Sequence, residues 1–197
     1  MQAASAITAA DACTGAAQGV AHPVAGVTIA ASLLRFAESR TMHDSIKLLH
    51  LVAGIVWMGG MTFMLMALRP AALEVLEPQV RARLMGAVWN RFFRVVLIAI
   101  AVLLVTGSNL YTATFRAMKE STGAGSVPLG WNLMLVIGVT MVLIFGHIYF
   151  AGFKKFKRAL AAAEWPVAAK AAAQINRLVI ANFVLGWLAI AAVRLVP

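Results

Sequence analysis

The stretch VVLIAIAVLLVTGSNLYTATF, Val95–Phe115, contains no ionised side chain. As a helix rising 1.5 Å per residue it is about 30 Å long, the thickness of a bilayer's hydrocarbon core. A helix satisfies its own backbone hydrogen bonds in lipid, so an uncharged run of this length reads as a membrane span. Leu129–Phe153 is equally free of Asp, Glu, Lys and Arg. Ile46–Leu68 holds only Lys47, next to its start, where a long side chain snorkels to the interface. Leu178–Val193 is shorter, about 24 Å, and is bracketed by Arg177 and Arg194. Snorkelling and mild bilayer thinning absorb that mismatch. The expectation is an all-α, integral membrane, up-down four-helix bundle, with spans at about 46–68, 93–113, 131–153 and 177–195.

Composition agrees. The 197 residues are 62% hydrophobic and only 12% charged, about half the charge of an ordinary soluble domain. The net charge of +10 would suit nucleic acid, but the basic residues sort by topology instead. Arg69, Arg81, Arg83, Arg91 and Arg94 fall between spans one and two. Lys154, Lys155, Lys157, Arg158, Lys170 and Arg177 fall between spans three and four. The opposite side carries Arg35, Arg40, Lys47, Arg116, Lys119 and Arg194. The positive-inside rule therefore predicts a bacterial-type inner membrane protein with cytoplasmic basic loops and both termini outside. Lipid, not nucleic acid, is the predicted partner, and the basic faces would meet anionic headgroups.

Residues 1–41 are rich in Ala, Gly, Thr and Ser, and no basic residue precedes Asp11, as a secretory signal would require. They read as a flexible or surface-lying tail ahead of a transmembrane domain over 42–197. Gly19–Leu34, interrupted by His22-Pro23, is the alternative as a weak fifth span. The single cysteine, Cys13, excludes an intrachain disulfide and a Cys-based metal cluster, and reads as inert. The first helix is predicted to start near Thr41–Asp44, with Thr41 or Asp44 as cap. Ala71–Asn90 reads as an amphipathic connector broken at Glu77-Pro78, with the second helix beginning near Trp89. Glu120–Gly130 reads as an outer loop. Trp131 marks the start of the third helix, which continues to about Ala163, and Trp165-Pro166 opens the fourth.

An ionisable residue inside a span is costly and ordinarily faces protein or a water-filled cavity. His50 is such a residue. His43, His50, Trp57 and Met64 lie seven apart and stay on one side of the helical wheel. Gly54 and Met61 share that side, and Met58 lies at its margin. Imidazole and thioether both suit copper, thioether favouring Cu(I). The candidate metal ligands are thus His50, His43, Met61, Met64 and Met58. Methionine also fills gaps in ordinary packing, and His43 also suits the headgroup layer.

Imidazole is equally an axial ligand for haem iron. The candidate haem residues are His50, His147 in FGHIYF, and Arg91 and Arg94 for a propionate. In an up-down bundle, however, His50 lies near the outer end of the first span and His147 about 12–18 Å deeper in the third. This favours two polar sites over one bridging haem. The outer one would gather His50, Asn109, Tyr111, Trp131 and Asn132, and the inner one His147, Arg91, Arg94 and Asn176. A homodimer would offer another route, pairing two copies of one histidine. Asn182 reads as an interhelical hydrogen-bonding residue. GxSxG, Walker and HExxH motifs are absent from the sequence, and whether the protein is an enzyme stays open.

The first span, KLLHLVAGIVWMGGMTFMLMALRP, resembles the copper-resistance D (CopD) family in Leu49-His50, Trp57, Gly59-Gly60 and Pro70. RFFRVVLIAIAVLLVTG, Arg91–Gly107, is similar to that family's RF-x-R…TG pattern. The resemblance extends over about Lys47–Leu195. It implies a four-helix inner-membrane domain for copper uptake or tolerance, with a metal role on His50 and, less directly, Met58 and Met61. The chain is also similar to HemJ-type protoporphyrinogen oxidases, which bind haem b and carry histidines at the positions of His50 and His147. That family has a lysine soon after the tryptophan of the third span. Here Trp131 is followed by Asn132, Leu133, Met134 and Leu135. Three readings follow: copper handling, a b-type haem redox protein, and a cofactor-free membrane assembly subunit.

Overall fold

The computed structural model describes residues 23–123 and 125–196. Cys13 and the first 22 residues of the expected tail lie outside them. By its contacts the chain divides into two compact units, Met1–Arg40 and Thr41–Pro197.

All regular structure among the described residues is helical. Helix α1 (Pro23–Phe63) runs through a π-helical turn (Met64–Leu68) into α2 (Arg69–Val75). Helix α3 spans Pro78–Thr122. Helix α4 (Leu129–His147) continues through a second π turn (Ile148–Phe153) into α5 (Lys154–Ala161). Helix α6 covers Trp165–Leu195. These pieces make four rods, Arg40–Val75, Pro78–Thr122, Leu129–Ala161 and Trp165–Leu195, each long and apolar enough to cross a membrane. The predicted spans fall inside them.

The element boundaries differ from the predicted ones in an instructive way. Thr41 and Asp44 are interior to α1 and do not cap it, because the helix already starts at Pro23 and no proline interrupts it before them. Proline is tolerated in a first helical turn, where its missing N–H has no acceptor to serve. α3 likewise starts at Pro78, well before Trp89, and α6 at Trp165 with Pro166 in its first turn. The break near Glu77-Pro78 is present. α3 ends at Gly123, whose φ of 70° places it in the left-handed region that closes helices. The first π turn precedes Arg69-Pro70. Pro70 cannot donate to the preceding turn and crowds its carbonyl, and a locally widened helix accommodates this.

Contacts at the rod ends establish the up-down order. His50, early in the first rod, meets Thr106, late in the second. Trp89, early in the second, packs edge-on against Phe156, late in the third, with ring centroids 5.0 Å apart. Gly130, opening the third rod, lies against the Ala192 and Val196 carbonyls that end the fourth.

The core is an aromatic ladder. Phe93, buried to 1% exposure, contacts Phe145 at 5.6 Å and Phe153 at 5.1 Å, both edge-to-face. Trp57 from α1 meets Phe145 edge-on at 6.2 Å. Each such pair contributes about 0.5–1.5 kcal/mol beyond its buried area. The outside is apolar too: Leu48, Leu51, Ile55, Ile98, Leu143 and Leu188 are exposed. In water such a belt would far exceed the patch size a monomer tolerates. Together with the four spans it makes this a multi-pass membrane protein.

Candidate functional site

The interior face of the first rod carries His50, Ala53, Trp57, Met61 and Met64, spaced three or four residues apart. That spacing places them on one stripe facing the bundle. Met61 is 2% exposed and Met64 7%. His50 is half-buried at the top of the stripe.

The hydrogen bonds around His50 assign its tautomer. Its Nδ1 lies 2.8 Å from Thr106 Oγ1. The Thr106 hydroxyl lies 2.6 Å from the Val102 carbonyl one turn back. A hydroxyl has a single proton to give, and the carbonyl can only accept. Thr106 therefore donates to Val102, and His50 Nδ1–H donates to Thr106. The proton sits on Nδ1, and Nε2 keeps its lone pair. Nε2 has no hydrogen-bond partner among the described residues. A histidine whose Nδ1–H is held by a neighbour while Nε2 is free has the arrangement of a metal ligand.

Gly107 makes room for this ring. A Cβ at Gly107 would sit 3.1 Å from His50 Cε1 and 3.7 Å from Nδ1. The Thr106-Gly107 pair thus has two tasks, one hydroxyl to orient the imidazole and one missing side chain to admit it.

Further along α1, Met58 reaches α6. Its thioether sulfur lies where a Cβ of Gly186 would be, and the Met141 methyl from α4 is 3.3 Å from that same point. Methionine side chains from two different helices thus approach one point over this glycine. One turn before Gly186, Asn182 is 1% exposed. Its Nδ2 donates to the Met141 carbonyl at 3.1 Å. Its Oδ1 has no partner among the described residues, an uncommon condition for a buried polar atom. Asn182 does link two helices, as expected of it, and leaves its side-chain oxygen unpaired among the described residues. Sequence reasoning did not single out Met141, because an uncharged methionine in an apolar helix looks like any packing residue.

The other candidates are placed elsewhere. His43 is half-buried, two turns of α1 above His50. Tyr111 and Asn132 do meet, the phenol donating to Asn132 Oδ1 at 2.8 Å, but they join α3 to α4 without including His50. Asn109 donates to the Val105 carbonyl of its own helix. No hydrogen bond or ion pair joins the members of the expected inner group among the described residues. His147, Arg91 and Arg94 are all exposed, and Arg94 Nε bonds the Asn90 carbonyl. His147 is two residues, about 200° of rotation, from buried Phe145, so it points away from the core. Arg94 lies about 18 Å along α3 from Thr106. The structure therefore brings neither His147 nor the two arginines to His50. Among the described residues, His, Cys, Asp and Glu form no group of three or more able to hold a metal ion.

Comparison with known proteins adds one finding. A family model described as copper resistance protein D matches residues 86–196, which covers α3 from Gly86 through the end of α6. The match includes Thr106-Gly107 and Met141, and it begins after the first rod. The Leu49-His50 and Trp57–Gly60 signature therefore stands outside it. No curated protein and no solved structure matches the chain. The matched segment is more than half of the chain, and the chain belongs to the copper resistance protein D family.

Proposed function

We propose that this protein binds copper and moves it into or across the inner membrane, with copper as cargo. The metal enters at the end of the bundle that holds His50, which faces outward, and the basic loops and rod ends face the cytoplasm. The observation that carries this reading is the His50–Thr106 pair, which leaves Nε2 as a free, oriented donor. Below it the interior offers the methionines Met58 and Met61 on α1 and Met64 in the π turn that follows, with the Met141 side chain near Met58 beside Gly186. Thioethers favour Cu(I) over harder cations, and a path lined by them passes a soft ion without a change of oxidation state. His43 is about 10 Å along the axis from His50, so the two act as successive stations, not as two ligands of one ion.

The test is a Cu(I) titration of the detergent-purified protein against a chromophoric chelator, with copper counted on the same sample. Wild type should retain Cu(I), and His50→Ala should release it at least tenfold more readily. Equal retention by both proteins would refute His50 as the entry ligand. The family assignment supports copper at the level of the family, and the donor set is a soft one; these support the reading.

A further inference from the structure

At the basic end of the bundle a cavity of about 240 Å³ lies between the first rod, α3 and α6. Its deeper walls are apolar and include Met85, Trp89 and Ala172. Its polar residues include Arg69, Arg81 and Asn176, and among the described residues no carboxylate lines it. Arg81 is half-buried, and neither arginine makes an ion pair among the described residues. From Arg81 to Trp89 the cavity follows α3 for about 12 Å. The acids next in sequence to lining residues, Glu74, Glu77 and Glu164, are all exposed, and Glu77 at the start of α3 makes no capping bond.

Two uncompensated guanidiniums above a deep apolar slot describe an amphiphile: an anionic head on the arginines, a chain beneath. A free phosphate would satisfy the arginines and leave the apolar depth unused. The volume is below the roughly 300–1,000 Å³ usual for compact small-molecule ligands, which suits one chain better than a macrocycle. Arg69 and Pro70 open α2 near the end of the first rod, and the basic residues there suit the headgroup layer of a bilayer. Basic pockets between transmembrane helices are known to take anionic lipid heads. We propose that this cavity is a binding site for one anionic phospholipid, with its phosphate on Arg69 and Arg81 and one acyl chain against Met85 and Trp89. Such a lipid would fill the gap between the first rod and α6 at the end opposite His50.

The test uses the full chain in nanodiscs of phosphatidylcholine, with or without phosphatidylglycerol, followed by detergent extraction and native mass spectrometry. Wild type should retain phosphatidylglycerol in preference to phosphatidylcholine. Arg69→Gln with Arg81→Gln should weaken retention about thirtyfold, as expected for two interfacial arginines. Ala172→Phe keeps both charges and obstructs the slot, and should lose the lipid as well. Melting of each variant in phosphatidylcholine alone reports whether it folds. Should Ala172→Phe melt early there, the arginine variant decides the question by itself. Equal retention of the two lipids, or unchanged retention in the arginine variant, would overturn the proposal. So would inorganic phosphate alone raising the melting temperature as much as phosphatidylglycerol, since the ligand would then be a soluble anion. The readout is separate from copper: His50→Ala should keep its lipid, so either reading can fail without the other.

Discussion

Replacing Thr106 by valine removes one hydroxyl and preserves the shape of the side chain. The loss has two components. His50 Nδ1–H, now 2.8 Å from Oγ1, is left without its acceptor, and the Val102 carbonyl loses the extra bond at 2.6 Å. A net hydrogen bond is worth about 1 kcal/mol, so thermal stability should fall only modestly. The effect on metal should be larger. Without its acceptor the imidazole can carry its proton on either nitrogen and turn in its slot, so Nε2 is no longer reserved for the ligand. Loss of such an orienting partner typically costs 10–100-fold in metal affinity, or about 1.4–2.7 kcal/mol. Cu(I) competition against a chelator should therefore show Thr106→Val weakened by one to two decades, with Thr106→Ser near wild type because it retains the hydroxyl. If Thr106→Val binds Cu(I) as tightly as wild type while His50→Ala does not, the tautomer argument is wrong and Nδ1 is no guide to the ligand atom.

Two further outcomes follow from packing. Met58→Leu conserves volume and should shift stability by less than about 1.5 kcal/mol, yet it removes a thioether and should lower Cu(I) retention; His147→Ala, on an exposed residue, should change neither, as checked by melting and copper counting. Gly130→Ala should destabilise strongly in a detergent melt, because the new methyl would strike the Ala192 and Val196 carbonyls, backbone atoms that cannot swing aside. Gly138→Ala meets nothing within 4 Å and should be neutral or stabilising by up to about 1 kcal/mol; similar losses in the two variants would contradict the close α4–α6 approach.

Much of the architecture was legible in the chain. Hydrocarbon does not tolerate unpaired charge, so Val95–Phe115 and Leu129–Phe153 announce spans without reference to any neighbour. His50 stood out for the same reason: an imidazole inside a span demands a partner. The stripe of Trp57, Met61 and Met64 followed from helical periodicity alone. What periodicity could not supply was the partner. Thr106 is 56 residues from His50, and in isolation it looks like any helical threonine bonded to its own backbone.

The inward face of α4 was equally illegible. That helix is apolar on every side, with lipid outside and core inside, so nothing in its pattern distinguishes Phe145, which is buried, from the outward side that carries His147. The sequence by itself thus determined how many times the chain crosses the membrane, where it turns and which buried group needs explaining. These are local consequences of placing charge and backbone in a low-dielectric slab. Only the tertiary structure decided that His50 faces Thr106 and Gly107, that Met58 and Met141 meet over Gly186, and that Arg69 and Arg81 overhang a slot. Each of these is a meeting between helices, set by the rotation of one rod against another. That rotation is chosen by the sum of small van der Waals contacts across the bundle, which no single segment encodes.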